Sequence, residues 1–178
     1  MTNVGKLDWI EQGFKLLASD GALTLTIDHL SSRLGLTKGS FYHHFKNFQD
    51  YKDELLTYFE EAGTLQIIRL TEEAVTPQAK IEKLLETTLT GHQELEVAIR
   101  AWALQDSRVQ VYQQRIDKER LTYLQNLCEA ILADPDRALL VARLLYTIFV
   151  GSQQIRPPLQ ADTMRQLYHE LQQLYKLT

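Results

Sequence analysis

Residues 27–45 read Ile27-Asp28-His29-Leu30-Ser31-Ser32-Arg33-Leu34-Gly35-Leu36-Thr37-Lys38-Gly39-Ser40-Phe41-Tyr42-His43-His44-Phe45. Thr26 stands just before them, and a threonine hydroxyl can accept from a free backbone N–H at a helix start. Ile27, Leu30 and Leu34 recur at 3–4 spacing, which predicts a helix over Ile27–Leu34 with one apolar face. Gly35 breaks it, Leu36 follows, and Thr37 opens a third short helix that runs through Phe45. Two short helices about a three-residue turn centred on glycine make a helix-turn-helix pattern. Ordinary helical bundles use the same spacing, so the chemistry of the exposed face has to decide between the two.

On a wheel of about 100° per residue, Phe41 and Phe45 share one side of the third helix and should pack against Leu30, Leu34 and the first helix. The opposite side presents Gly39, Ser40 and His43, flanked by Lys38, Tyr42, His44 and Lys46. Gly39 lets a backbone approach closely. Ser40 and His43 can hydrogen-bond base edges in a major groove. Lys38, Tyr42, His44 and Lys46 can reach phosphates on its walls. Thr26 and Thr37 sit at helix N-termini, where hydroxyl and free N–H groups suit a phosphate. Each of these side chains taken singly reads more readily as an ordinary solvated residue. Together, behind one apolar face, they point to double-stranded DNA.

The net charge of −4 argues against a nucleic-acid binder taken globally. Distribution matters more, because salt screens charges beyond about 8 Å. From His29 to Gln49 there is no Asp or Glu, while Arg33, Lys38, Lys46, His29, His43 and His44 fall in that stretch. One short segment is therefore locally positive, and Arg33 joins the candidate DNA contacts.

Residues 10–59, and the stretch 27–45 most densely, resemble the N-terminal domain of the tetracycline-repressor (TetR/AcrR) family. The family pattern runs from an Ile/Leu-Ala pair, through a Gly-Val/Leu-Ser/Thr turn, to Gly-Ser/Thr-Leu/Phe-Tyr-x-His-Phe. Two departures stand out. Ser31 replaces the usual alanine, and Phe48 stands where a lysine commonly opens the fourth helix, leaving Lys46 or the Asn47 backbone for that phosphate. The resemblance covers about the first third of the chain. It implies a homodimer on a palindromic operator, with a small-molecule effector in the C-terminal domain that moves the fourth helix and releases DNA.

The rest of the chain also reads as helix. The first helix is predicted over Leu7–Ser19, with Ile10, Phe14 and Leu17 inward and Gly21 in a left-handed cap. A fourth starts at Phe48, capped by Asn47, and runs to Leu70 with Gly63 softening it midway. Thr76-Pro77 signals another start, and helices follow over Gln78–Thr90, Glu94–Leu104 and Ser107–Leu132. Asp134-Pro135 repeats the signal before Asp136–Gln154, which is apolar almost all round through Leu139–Val150. Pro157-Pro158 stops the chain before a last helix over Ala161–Leu177. The expected architecture is all-α: an N-terminal helix-turn-helix domain, residues 1–47, joined by a linker helix to a helical effector-binding and dimerisation domain, residues 48–178.

Arg100, Trp102, Tyr123, Tyr146 and Phe149 are candidates to line an effector pocket, with His92 in a loop beside Gly91. Leu140, Leu144 and Ile148, with Leu167, Leu171 and Leu174 of the last helix, are candidates for a four-helix dimer interface. Cys128 is the only cysteine and lies on an apolar stripe, which reads as inert core. No metal site and no cofactor is expected. No Gly-rich phosphate loop, nucleophile elbow or zinc-protease motif is present, so an enzyme is not expected. No apolar run reaches the roughly 18–20 residues that span a membrane, and the N-terminus lacks an apolar leader, so a cytoplasmic location is expected. The rival reading is a helical ligand-binding or adaptor protein whose helix-turn-helix no longer reads DNA.

Overall fold

The computed structural model describes residues 4–89, 91 and 93–177, so His92 lies outside the described residues. Every regular element among them is helical: α1 Lys6–Asp20, α2 Ile27–Leu34, α3 Lys38–Tyr42, α4 Phe48–Glu60, α5 Gln66–Glu72, α6 Pro77–Leu89, α7 Gln93–Ala103, α8 Ser107–Leu132, α9 Pro135–Gln154 and α10 Ala161–Tyr175. Among the described residues, no helix is long and apolar enough to cross a membrane.

The chain divides into two compact units, one of Met1–Glu61 with His92–Gln113, the other of Ala62–Gly91 with Gln114–Thr178. In the first, α1 is the central element, packed on α2, α4 and α7. It buries Trp9, Ile10, Gly13, Leu16 and Leu17. Trp9 meets Phe41 edge-on at 5.4 Å, and Phe41, Phe45 and Tyr51 form an aromatic cluster with centroids 5.0–5.5 Å apart. The Tyr51 hydroxyl donates to the Trp9 carbonyl at 3.0 Å. Burial pushes its pKa far above the usual phenol value, so it stays a donor. Asp106 caps α8, accepting from the N–H groups of Arg108 and Val109. It also holds Lys52 of α4 at 2.9 Å, which lowers its pKa.

In the second unit α6, α8, α9 and α10 enclose Ile81, Leu85, Leu124, Leu127, Cys128, Val141, Leu145, Met164 and Tyr168. Asp134 accepts from the Arg137 N–H at 3.1 Å and Pro135 opens α9, as the cap-then-proline signal predicts. One face of α9 is buried, through Ala138, Val141, Ala142 and Leu145. Leu140 is 67% exposed, as is Leu174 of α10 at 72%. The single chain therefore does not bury α9 all round.

Three sequence expectations are corrected. The third helix ends at Tyr42 rather than Phe45, with His43 as its C-cap. Gly21 has φ 79° and ψ 176°, a conformation open to glycine but not the left-handed cap. The fourth helix is not continuous to Leu70. A π turn over Glu61–Leu65 separates α4 from α5. Gly63 lies at its middle, where softening was expected. The wider turn turns carbonyls away from the ladder, and Arg120 donates to the Gly63 carbonyl at 3.1 Å and to the Thr64 hydroxyl at 2.8 Å.

Candidate nucleic-acid interface

The local sequence sets the geometry of α2, its turn and α3. Thr26 Oγ1 accepts from the His29 N–H at 3.2 Å, so its side chain closes the first turn of α2. Gly35 ends α2 in the left-handed region, φ 66° and ψ 30°, returning its N–H to the last carbonyls. A side chain there would be strained. Thr37 then caps α3, its Oγ1 3.4 Å from the Ser40 N–H. Leu30, Phe41 and Phe45 are all but fully buried, which fixes which side of α3 faces out.

On the outer side Gly39 and His43 are exposed, as expected, and Tyr42 is 56% exposed. His44 is half-buried with its ring 6.2 Å from Phe45. Ser40 is half-buried, its hydroxyl 3.4 Å from that of Thr37, so it is less open than the wheel suggests. Nothing within van der Waals reach but the Thr37 hydroxyl stands over Gly39, which leaves its backbone approachable. Lys46 has an exposed side chain. Its N–H donates to Asp50 Oδ2 at 2.9 Å while Asn47 Oδ1 accepts from the Asp50 N–H at 2.9 Å, a reciprocal cap on α4. Phe48 turns inward and stacks on Tyr51 with centroids 5.8 Å apart. The family's lysine position is thus used here for packing.

The expectation that acids stay clear of this face is corrected. Asp28, just outside the acid-free stretch, holds the Lys38 ammonium at 2.5 Å and raises its pKa. Asp20 at the end of α1 holds Arg33 at 3.3 Å. Both pairs are largely solvent-exposed, so neither contributes much to stability. Their weight lies in what the two cations offer to a ligand.

The five candidate effector residues fall in different units. Arg100 and Trp102 belong to the first, where Arg100 pairs with Glu96 at 3.2 Å and Lys52 lies over the Trp102 ring. In the second, Tyr146 stacks on Phe149 at 6.0 Å and donates to Asp117 at 2.7 Å, while Arg120 lies over Phe149. Tyr123 donates to Glu72 at 2.6 Å. Arg120, Asp117 and Glu72 carry no motif, and their partners lie on other elements. The cation at helical spacing from Tyr123 and Asp117 on α8 was the nearest cue.

A helix-turn-helix held on an aromatic core with a polar outer face, together with a second helical unit, defines the class of architecture: all-helical, with an N-terminal helix-turn-helix. Residues 10–57 match the family model for bacterial regulatory proteins, tetR family. The match covers the N-terminal segment alone; over nearly its whole length the chain shares its fold with solved structures of low sequence identity. It is similar to the reduced form of NemR from E. coli, at 16% identity over 94% of this chain and 96% of that one, TM-score 0.78. A transcription regulator of Haloarcula marismortui is 19% identical over 93% and 95%, TM-score 0.74. A putative transcriptional regulator of Saccharomonospora viridis, solved in complex with choline, is 13% identical over 94% and 95%, TM-score 0.78. No curated protein matches the chain.

Proposed function

We propose that the chain is a one-component transcriptional repressor that binds a palindromic DNA operator as a homodimer and leaves it when a small-molecule effector binds. The observation that carries this reading is the exposed face of α3, with Lys38, Gly39, Tyr42 and His43 outward and Phe41 and Phe45 buried behind. Thr26, Arg33, Thr37, Ser40, His44 and Lys46 complete the surface. His43 and Ser40 read base edges, and the others set register on phosphates. The functional division lies at 1–47 for DNA and 48–178 for effector and dimer.

Dimerisation uses α9 and α10. Leu140, Leu167 and Leu174 are exposed, and Leu144, Ile148 and Leu171 are half-buried. They form an apolar surface of the kind that obligate interfaces cover. The effector site takes in Tyr146 and Phe149 of α9, with Tyr123 of α8. Arg100 and Trp102 remain candidates within their own unit. The location is cytoplasmic. The deciding experiment is a mobility shift with the purified protein on DNA upstream of its own gene, in salt steps from about 50 to 200 mM. Sequence-selective retardation at the upper salt is expected. Binding that vanishes equally on all DNA would refute operator recognition.

A further inference from the structure

Two of the three Lys and Arg side chains of the acid-free stretch are already partnered. The Lys38 ammonium lies on the Asp28 carboxylate at 2.5 Å, and the Arg33 guanidinium on Asp20 at 3.3 Å. Lys46 has no ion pair among the described residues. Asp28 and Lys38 come from different helices and meet on the outer side of the helix-turn-helix, with Lys38 at the first position of α3. A carboxylate and a phosphate offer an ammonium the same thing: anionic oxygens at hydrogen-bond distance. We propose that Asp28 is an affinity-setting residue of the DNA interface, occupying on Lys38 the place a DNA phosphate takes in the complex, so that binding proceeds by carboxylate-for-phosphate exchange.

This inference rests on the DNA-binding reading and adds to it an acidic residue just outside the acid-free stretch. The exchange has two consequences. First, Lys38 contributes less to affinity than a free lysine, because contact with phosphate requires giving up Asp28, or sharing the ammonium with it. Asp28, left beside the duplex, also repels phosphate. Second, salt acts on both partners of the exchange. Raising salt weakens the phosphate contact by lowering the gain from counterion release, but it weakens the Asp28 pair as well. The salt slope of the wild type is therefore shallower than its number of phosphate contacts would give.

Removing Asp28 also removes one negative charge from the protein, which would tighten binding to any polyanion. A double-mutant cycle separates that from a specific exchange. The four proteins are wild type, Asp28→Asn, Lys38→Gln and the double variant, each full length and checked by thermal melting. The probe is a fluorescein-labelled random-sequence duplex of about 30 base pairs, long enough for two half-sites one turn apart, followed by anisotropy in salt steps. Asp28→Asn should tighten binding about two- to fivefold, the range set by an exposed ion pair, and steepen the salt slope by up to about 0.9. In the Lys38→Gln background the same change should have much less effect. Asp28→Ser repeats the test with a second neutral residue in the first turn of α2, in case Asn perturbs the helix.

An equal gain in both backgrounds would show a bulk charge effect and overturn the exchange. So would unchanged affinity in folded Asp28→Asn and Asp28→Ser. If none of the proteins binds duplex at about 50 mM salt, the DNA reading itself fails and the inference with it. The two failures are thus told apart by whether the wild type binds.

Discussion

Gly13 lies buried in the middle of α1, where alanine would ordinarily be preferred by about 0.5–1 kcal/mol. A Cβ built there would sit 1.9 Å from the Tyr51 hydroxyl and 2.5 Å from Leu55 Cδ1, with Tyr51 Cζ at 3.2 Å. The tyrosine has no room to retreat. Its ring is enclosed by Phe41, Phe45 and Phe48, and its hydroxyl is tied to the Trp9 carbonyl. Gly13→Ala should therefore destabilise by about 1–3 kcal/mol, the range for overpacking a core, despite the better helix former. Tyr51→Phe alone should cost about 1 kcal/mol for the lost hydrogen bond. With that oxygen gone, the nearest ring atom lies at 3.2 Å and the remaining close atom is a leucine methyl that can rotate. The double variant should then be more stable than the sum of the singles, with a coupling of about 1–3 kcal/mol. Urea melts of the four proteins, followed by far-UV circular dichroism, measure it. Additivity within about 0.5 kcal/mol, or a stabilised Gly13→Ala, would refute the packing of α1 on α4 described above.

Asp106→Asn keeps an acceptor for the α8 cap and should destabilise by about 0.5–1 kcal/mol at neutral pH through loss of the Lys52 pair. Because Lys52 lowers the Asp106 pKa below its ordinary 3.8, this contribution is present above that value and lost as pH falls through the lower folded one. Melts from neutral to strongly acid pH should show the difference closing only in the acid limb. Cys128 is fully buried, and burial pushes its thiol up to about 11. A water-soluble aromatic disulfide reagent at pH near 8 should leave the native protein unmodified and react when urea unfolds it; rapid native reaction would contradict the packing. His43→Ala should relax base preference at one position per half-site by about 1–3 kcal/mol, read by binding to a panel of operator variants; uniform weakening would assign His43 to the backbone. Leu144→Glu with Leu171→Glu should give monomers or insoluble protein, and sedimentation of the wild type at micromolar concentration should give twice the chain mass. A monomeric wild type would refute the proposed dimer.

The helix-turn-helix was legible because its signals are local. Thr26, Gly35, Thr37 and Asn47 act through backbone geometry within a few residues, and Asp134-Pro135 and Ser107–Leu132 read correctly for the same reason. What pattern could not supply is the meeting of residues distant along the chain. The acid-free window began one residue after Asp28 and so counted Lys38 as an open cation, whereas folding brings α2 and α3 together and pairs Asp28 with Lys38. Asp20 lies 13 residues from Arg33 and reaches it across the end of α1. Trp9 and Tyr51 are 42 residues apart, and nothing local marks either as the partner of the other. Gly63 gave a cue to a weak point in the fourth helix. That the weakness takes the form of a π turn could not be read locally, since the side chain that meets its carbonyl, Arg120, lies 57 residues on.

The proposed dimer has an electrostatic argument besides its apolar face. A protein of net charge −4 meets DNA only through charges within about a Debye length of the duplex, roughly 8 Å. In one copy of the proposed interface the Lys and Arg side chains are Arg33, Lys38 and Lys46, and two of the three are held by carboxylates. One such head offers few phosphate contacts, and a short recognition helix reads few base pairs. Joining two heads makes the second binding step intramolecular, so that its effective concentration replaces the affinity each head lacks. The gain requires a stable partner, and the apolar side chains Leu140, Leu167 and Leu174 are left for one to cover. The weak charge of the head and the uncovered leucines of α9 and α10 thus call for the same second copy. Disrupting that pairing should abolish operator binding even with every residue of α3 intact.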